Sequence, residues 1–317
     1  MSSVAVVGAG AWGIALALQA RRAGRRVVLW ARDPAALGAS RRSPRLPGHV
    51  LPDGIEVSGE LPGDGFAAIL LAVPVPHLRA VAARLRLAAP IVVCAKGVEA
   101  GTLRLPLEIV AELHPGVPAA VLTGPNFAHE VAAGLPAAAV VAAVDPALRA
   151  AIADLLGSPG FRLYGNDDPV GAQLGGAAKN VIAIAAGAVI GAGLGENARA
   201  ALITRGVAEL GRLVLALGGR AETVAGLSGL GDLLLTCTGP ASRNFSCGLA
   251  LGRGEMLASV LASRTTATEG VATAPALVAR AAGVDLPICT AVAALLAGRT
   301  TLDQAIAALL ARPRRDE

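Results

Sequence analysis

The rarity of lysine in this chain makes its two lysines the first candidates for chemistry. Of the 28 basic residues, 26 are arginine, and only Lys96 and Lys179 are lysine. An arginine keeps its proton near neutral pH, whereas burial and neighbouring charges can tune a lysine ammonium. The alternative is that these two lysines remain in the sequence by chance and have no function. The functional hypothesis is that these lysines serve in proton transfer.

Lys179 and Asp232 are predicted to form a pair. Lys179 follows a GGAA run and begins an apolar helical stretch with Asn180, so we expect it to enter a pocket from a rigid helix, with its pKa lowered by burial. Asp232 lies in an apolar glycine-rich stretch, where an unpaired carboxylate is costly. We therefore expect a cationic partner and choose Lys179. Capping of a helix over residues 233–235 is an alternative role that is compatible with pairing.

The residues after Asp232 carry groups that suit a phosphate monoester. Thr236 is followed by Ser242, Arg243 and Asn244, which together supply hydroxyl, guanidinium and amide groups. The alternative is an ordinary polar loop. The functional hypothesis is a phosphate site beside the proton donor.

The segment GAGAWG follows the first strand-like run and precedes a helical stretch, which is the context of a dinucleotide fingerprint. Gly8, Gly10 and Gly13 permit a tight turn and close approach to a pyrophosphate, which the amides of the following helix then bind. Ala11 and Trp12 lie within this turn, and Trp12 either joins the core or shields the cofactor. A structural turn without a cofactor is the alternative.

Arg32 stands at the end of the second strand, where NAD-binding proteins usually have an acidic residue. Its guanidinium could accept the 2′-phosphate of NADP. Asp33 lies twenty residues past Gly13 and could instead bind the ribose of NAD. We therefore expect NADP or NAD, with NADPH favoured.

The elements that must position these residues divide the chain in two. Near-continuous apolar runs in the first half predict parallel strands covered on both faces by helices. These runs are residues 4–7, 26–30, 68–73, 91–95, 119–122 and 138–144. After Asn166 helical spacing takes over. The predicted fold is α/β, with an N-terminal Rossmann-like doubly wound parallel sheet (residues 1–168, dinucleotide-binding) and a C-terminal all-helical substrate and catalytic domain (residues 169–317).

Composition excludes several classes of protein. Apolar residues make up 54% of the 317 residues and charged residues 16%, which excludes disorder and raises the question of a membrane span. The apolar run 4–20 contains three glycines and is shorter than the roughly 20 residues that a span needs, and the run 181–194 is shorter still. We therefore expect a cytoplasmic protein with no integral membrane segment.

Other partners are disfavoured as well. Aromatic residues are only 2% of the chain, which poorly supplies a stacking surface for nucleic acid, and the net charge of +5 is spread along the sequence. The four cysteines lack CxxC spacing, so we expect reduced thiols and no metal.

Taken together, these residues resemble the bacterial NAD(P)-dependent glycerol-3-phosphate dehydrogenase family over nearly the whole chain. The matching segments are GAGAWGIALA from Gly8, LWAR from Leu29, AVPVPHLR from Ala72, AKGVE from Ala95, TGPNFAHE from Thr123, GGAAKNVIAIAAG from Gly175, ALITRG from Ala201, GLGDLLLTCTGPASRN from Gly229 and TEGV from Thr268. The resemblance implies reversible reduction of dihydroxyacetone phosphate to sn-glycerol 3-phosphate, a precursor for glycerophospholipid synthesis. We also expect the protein to form a homodimer.

The resemblance also implies residue roles. Lys179 is expected to donate the proton in reduction and to accept it in oxidation, with Asp232 and Lys96 as further catalytic residues. The implied substrate-binding residues are Lys96, Gly124, Asn126, Asn180, Asp232, Thr236, Ser242, Arg243 and Asn244. The implied cofactor-binding residues are Gly8, Gly10, Ala11, Trp12, Gly13, Arg32, Arg45, Lys96, Ala128, Arg243, Ala267 and Glu269.

Three positions depart from the family pattern. Asn126 replaces the usual Ser or Thr but can still donate a hydrogen bond. Ala11 replaces a Ser, which leaves only a backbone amide for the pyrophosphate. Arg45 replaces an aromatic residue beside the cofactor and could stack on adenine or meet phosphate.

Three other readings compete with this one. A β-hydroxyacid or 6-phosphogluconate type dehydrogenase shares both kinds of domain and a catalytic lysine, but the GLGDL stretch and the loop Ser242-Arg243-Asn244 argue against it. A cofactor-sensing protein would use the same fingerprint without turnover. A membrane-attached protein would need residues 4–20 to insert, which conflicts with the glycine fingerprint.

Overall fold

The first half of the chain forms one β-sheet in the computed structural model, which describes residues 2–38, 40–86, 89–264 and 267–313. The strands within these residues are β1 (Ser3–Val7), β2 (Arg26–Trp30), β3 (Ile55–Ser58), β4 (Ala68–Leu71), β5 (Ile91–Val93), β6 (Ala119–Thr123), β7 (Ala137–Ala142) and β8 (Phe161–Asn166). They lie in the order β3-β2-β1-β4-β5-β6-β7-β8. Every neighbouring pair is parallel except β6 and β7, which are antiparallel.

Helices cover both faces of this sheet and make up the second half of the described chain. They are α1 (Ala11–Arg22), α2 (Val75–Ala82), α3 (Pro106–Leu113), α4 (Ala128–Ala133), α5 (Pro146–Leu156), α6 (Pro169–Gly191), α7 (Gly195–Ala216), α8 (Ala221–Ala225), α9 (Asp232–Cys237), α10 (Arg243–Gly252), α11 (Leu257–Ala262), α12 (Glu269–Arg280), α13 (Pro287–Leu296) and α14 (Leu302–Leu310). A short 3-10 helix, Pro34–Leu37, follows β2, and a π-helical turn, Leu227–Gly231, leads into α9.

Strand β1 shows why the sheet is wound on both sides. Val4 and Val6 belong to the core that includes α1, α4 and α5, whereas Ala5 and Val7 belong to a second core with α2 and α3. Successive side chains of a strand point to opposite faces, so a strand without polar residues must be covered twice. The predicted doubly wound sheet followed by a helical region is confirmed.

Two strands and one orientation differ from the prediction. The edge strands β3 and β8 each leave part of their side chains exposed, so neither reads as a continuous apolar run. The sheet is also not wholly parallel, because β7 runs antiparallel to β6. The last described helix begins with a capping box, since the Thr301 hydroxyl accepts from the Gln304 amide and the Gln304 side chain accepts from the Thr301 amide.

Helix α6 forms the centre of the helical half, and α10 packs closely against it. A Cβ added at Gly187 would lie 2.0 Å from the carbonyl oxygen of Phe245, and one added at Gly248 would lie 1.8 Å from that of Ile184. The two backbones can therefore approach this closely only with glycine at these positions. Helix α6 is long and apolar enough to cross a membrane. However, 89% of its apolar 18-residue stretch is buried inside the molecule.

Candidate active site

Asp232 lies between the two lysines of the chain. Its carboxylate is fully buried, with Oδ1 2.5 Å from Lys179 Nζ and Oδ2 2.5 Å from Lys96 Nζ. Lys179 also donates to Thr236 Oγ1 at 3.1 Å, and Lys96 donates to the Gly124 carbonyl oxygen at 3.1 Å. The predicted pairing of Asp232 with Lys179 is confirmed. The capping alternative is wrong, because Asp232 is the first residue of α9 and its side chain caps no helix amide.

Three separate elements bring these charges together. Lys179 lies in the middle of α6, Lys96 follows β5, and Asp232 follows the π-helical turn. The glycines before Lys179 allow this convergence. A Cβ at Gly175 would lie 2.3 Å from the Ser228 carbonyl oxygen of the turn, and a Cβ at Gly176 would lie 3.2 Å from Lys96 Cγ.

Burial lowers the pKa of Lys179 to about 8. The Asp232 carboxylate opposes this effect by stabilising the ammonium form, while the Lys96 ammonium adds to it. Lys179 is 8% exposed and lines an open cavity. A lysine in this state can exchange a proton near neutral pH.

The glycine turn before α1 forms a cradle open to a ligand. Gly8 has a φ of +119°, and a Cβ at Gly13 would lie 1.7 Å from the Gly8 carbonyl oxygen, so the turn closes only with glycine there. Gly10 has no atom within 4 Å of its added Cβ, and as the N-cap of α1 it offers no side-chain acceptor to the first helical amides. Free amides at a helix N-terminus attract anions, so the cradle fits a dinucleotide pyrophosphate.

A cavity of about 280 Å³ joins the cradle to the lysines. Residues from both halves of the chain line it. Those named in advance from the sequence are Ala11, Trp12, Arg45, Lys96, Asn126, Ala128, Lys179, Asn180, Thr236, Ser242, Arg243, Asn244 and Glu269. The indole Nε1 of Trp12 is buried and has no hydrogen-bond partner in the described part of the chain. Such a donor is typical of a site that a ligand completes.

Other site residues that the sequence predicted do not line the cavity. Asp232 and Gly124 lie behind it, in contact with the lysines. Gly8, Gly10 and Gly13 shape the turn, while Arg32 and Ala267 are exposed and do not line the cavity. The Asp33 carboxylate accepts a hydrogen bond from the Ala35 amide and so caps the short 3-10 helix.

The start of α10 divides the predicted phosphate cluster into different tasks. The Ser242 hydroxyl caps this helix by accepting from the Phe245 amide, and the Arg243 guanidinium is exposed. Asn244 is only 7% exposed. The polar-loop alternative is wrong for Arg243 and Asn244, because both belong to α10.

Asn244 connects three helices through its side-chain amide. Its Nδ2 donates to Asn180 Oδ1 at 2.8 Å, and its Oδ1 accepts from the Gly270 amide at 2.9 Å. Asn180 Nδ2 in turn lies 3.4 Å from Glu269 Oε2. This chain of amides sets the orientation of Asn180 and holds the start of α12 at the cavity.

Asn126 presents a different group to the cavity than we expected. Its Nδ2 donates to the Ala138 carbonyl oxygen at 3.0 Å, while its Oδ1 is buried without a partner among the described residues. The expectation that Asn126 supplies a donor therefore needs correction, because the atom left for a ligand is an acceptor.

Six lining residues were not anticipated: Leu46, Cys94, Phe127, His129, Leu235 and Ala241. The rings of Phe127 and His129 stack with centroids 5.6 Å apart. Both lie in the segment TGPNFAHE. The turn of small residues after β6 in this segment was the signal in the sequence that could have predicted their place at the cavity. Apolar residues such as Leu46 give no chemical signal in a sequence.

A Rossmann-like domain whose glycine turn shares a cavity with a buried lysine defines the class of two-domain nicotinamide-dependent dehydrogenases. The models of the NAD-dependent glycerol-3-phosphate dehydrogenase N-terminus and C-terminus match residues 3–149 and 168–307. The chain belongs to this family of oxidoreductases.

Individual relatives cover nearly the whole chain. A glycerol-3-phosphate dehydrogenase [NAD(P)+] of Gluconobacter oxydans (strain 621H) is 54% identical over 98% of this chain and 97% of its own length. One of Acidiphilium cryptum (strain JF-5) is 56% identical over 99% and 98%. The crystal structure of glycerol-3-phosphate dehydrogenase from Coxiella burnetii is 37% identical, covers 98% of this chain and 99% of its own, and superposes with a TM-score of 0.92.

Proposed function

We propose that the chain reduces dihydroxyacetone phosphate to sn-glycerol 3-phosphate, reversibly, and so supplies glycerophospholipid synthesis. The observation that carries this proposal is the buried Lys179, held by Asp232, on a cavity that also reaches the start of α1 and Arg243. The names of the relatives support the same reaction.

The residues divide the work as follows. Bound NAD(P)H supplies the hydride. The Lys179 ammonium donates its proton to the carbonyl oxygen of the substrate as that oxygen gains negative charge, and neutral Lys179 takes the proton back in the oxidative direction. Asp232 and Thr236 fix the position of Lys179 Nζ, and Lys96 beside Gly124 adds positive charge to the same wall.

The phosphate of the substrate is proposed to lie at the start of α10. Arg243 offers an exposed guanidinium there, and the first amides of α10 face the same end of the helix. Asn126 Oδ1 remains available to accept a hydrogen bond from a hydroxyl group.

The first experiment follows the oxidation of NADPH and then NADH by absorbance after dihydroxyacetone phosphate is added to the purified protein. A parallel cell contains 6-phosphogluconate and NADP. We expect oxidation of the reduced cofactor with dihydroxyacetone phosphate and no reduction of NADP in the parallel cell, and a Lys179→Ala variant with intact circular dichroism should lose turnover by orders of magnitude. The proposal would be contradicted if neither NADPH nor NADH were oxidised, or if the Lys179→Ala variant had normal turnover.

We propose that NADPH is preferred over NADH. Arg32 is exposed just past β2, and the neighbouring Asp33 carboxylate already caps a helix. Arg32→Asp should therefore shift the ratio of kcat/KM values from NADPH toward NADH, whereas Arg84→Asp, at an exposed site in the turn after α2, should not. An unaltered ratio in Arg32→Asp would remove Arg32 from cofactor choice.

We further propose that the protein is cytoplasmic and forms a homodimer. Each chain is proposed to divide into its two domains after residue 168. The four cysteines are all free and buried, which supports a reducing compartment. The division is supported by the short connection between β8 and α6, where Asp168 caps α6. Light scattering of the purified chain tests the dimer, and a monomeric mass would refute it.

A further inference from the structure

The loop between the 3-10 helix and β3 is fastened by one arginine. The Arg41 guanidinium donates to the carbonyl oxygens of Leu51 at 2.9 Å, Pro52 at 3.1 Å and Ile55 at 2.5 Å. Arg41 also has a φ of +51°, a conformation that residues other than glycine seldom adopt. Three hydrogen bonds from one side chain therefore hold an otherwise unfavourable backbone.

The tip of this loop places a second arginine on the cavity. Leu46 is only 6% exposed and joins the core beneath α1, which anchors the tip. The neighbouring Arg45 is exposed and lines the cavity, and its guanidinium has no hydrogen-bond or ion-pair partner in the parts of the chain that the structure describes. A fixed loop thus presents an unpaired cation to the cavity.

The position of Arg45 indicates which phosphate it can meet. The same cavity is lined by Ala11 and Trp12 at the start of α1, where the pyrophosphate is proposed to bind, whereas Arg32 does not line it. Ala11 has no side-chain hydroxyl to offer a phosphate. An arginine on the facing loop supplies the missing donor, and its planar fork suits phosphate oxygens.

We propose that Arg45 binds the diphosphate shared by NADH and NADPH, and that Arg41 is the positioning residue that holds it there. This inference rests on the proposed function. It separates two arginines near the cofactor: Arg45 sets affinity for both cofactors, and Arg32 sets the choice between them.

The test is calorimetric titration with NADH, NADPH and ADP-ribose, which share the diphosphate. Arg45→Gln should weaken all three by a similar factor, about ten-fold, because one charge-assisted contact is lost. Arg45→Lys should recover part of the affinity, and Arg45→Tyr should recover none. The wild-type affinity should fall more steeply with added salt than that of Arg45→Gln.

Other results would overturn the inference. Weakening of NADPH alone would assign Arg45 to the 2′-phosphate, and full recovery in Arg45→Tyr would assign it to stacking on adenine. If the wild-type chain binds the ligands and Arg45→Gln binds them equally well, this inference fails while the proposed function stands. If the wild-type chain binds none of them, both fail.

Arg41 is tested through its dependence on Arg45. Arg41→Gln and Arg41→Lys should weaken all three ligands, and the loss should vanish when Arg45→Gln is already present, since Arg41 acts only through that residue. Arg84→Gln, at an exposed arginine elsewhere, controls for net charge. An additive loss in the double variant would overturn the positioning role.

Discussion

At the scale of single residues, Lys96 and Lys179 share the buried carboxylate of Asp232. With both lysines protonated the three side chains carry a net charge of +1, and after Lys179 gives up its proton the net charge is zero. The ion pair with Lys96 leaves Asp232 a cationic partner after this transfer. The transfer therefore leaves no unpaired anion in the interior. An unpaired buried anion would be costly.

The activity should depend on pH through Lys179. Burial lowers its pKa to about 8, and the proposed mechanism of reduction uses the protonated amine. The protonated fraction falls as the pH rises through that value, so kcat for reduction should decline above pH 8 while kcat for oxidation rises. Saturating rates in both directions between pH 6 and 10 test this, and parallel profiles in the two directions would contradict it.

Removing the charge of Asp232 should shift that profile. Asp232→Asn leaves two neighbouring cations and takes away the carboxylate that raises the pKa of Lys179, so the decline in reduction should begin at lower pH. Breaking a buried ion pair costs about 3–5 kcal/mol of unfolding free energy. Asp154→Asn, at an exposed acid, should change neither property. A profile unmoved in Asp232→Asn would disprove the coupling.

Neighbouring residues of α10 should separate binding from stability. Arg243→Ala removes an exposed side chain and should raise KM for the phosphorylated substrate with unchanged melting temperature. Asn244→Leu removes a buried link between α6, α10 and α12, and should lower the unfolding free energy by about 1–3 kcal/mol. Steady-state kinetics and thermal melts of both variants check this contrast, which an unchanged KM in the first variant would contradict.

At the scale of elements, the contact between α6 and α10 should tolerate no added methyl group. Gly248→Ala would place its Cβ 1.8 Å from the Ile184 backbone, so α10 must shift, at a cost of about 1–3 kcal/mol or more. Gly211→Ala in α7 has nothing within 4 Å and should instead stabilise by about 0.5–1 kcal/mol through helix propensity. Urea unfolding monitored by circular dichroism tests the pair, and equal effects would refute the steric argument.

The sequence predicted some of these elements and missed others for physical reasons. Lys179 and Asp232 could be paired in advance because a buried charge requires a partner. Lys96 was not assigned to the same carboxylate, since it lies 136 residues from Asp232 in the sequence and only the tertiary fold brings the two side chains together. Strand β3 was missed because its Glu56 is exposed, which interrupts the apolar run. The orientation of β7 has no counterpart in local residue pattern.

At the scale of the whole molecule, a ligand in the cavity should stabilise both halves together. Both tryptophans lie in the first half, whereas circular dichroism is dominated by helices, which are concentrated in the second. NADPH at one hundred times its Kd should add about 2.7 kcal/mol and raise the midpoints of both signals. Movement of the fluorescence midpoint alone would show that the cavity does not couple the halves.

The scarcity of lysine has a practical consequence for covalent chemistry. The only two side-chain amines of the protein line its proposed active site, and one of them has a pKa near 8 and is neutral in mildly alkaline buffer. An amine-directed acylating reagent therefore finds, besides the chain terminus, only these two targets. Labelling or surface immobilisation through lysine is harmless to many enzymes. In this protein it would modify Lys96 and Lys179 in the proposed active site.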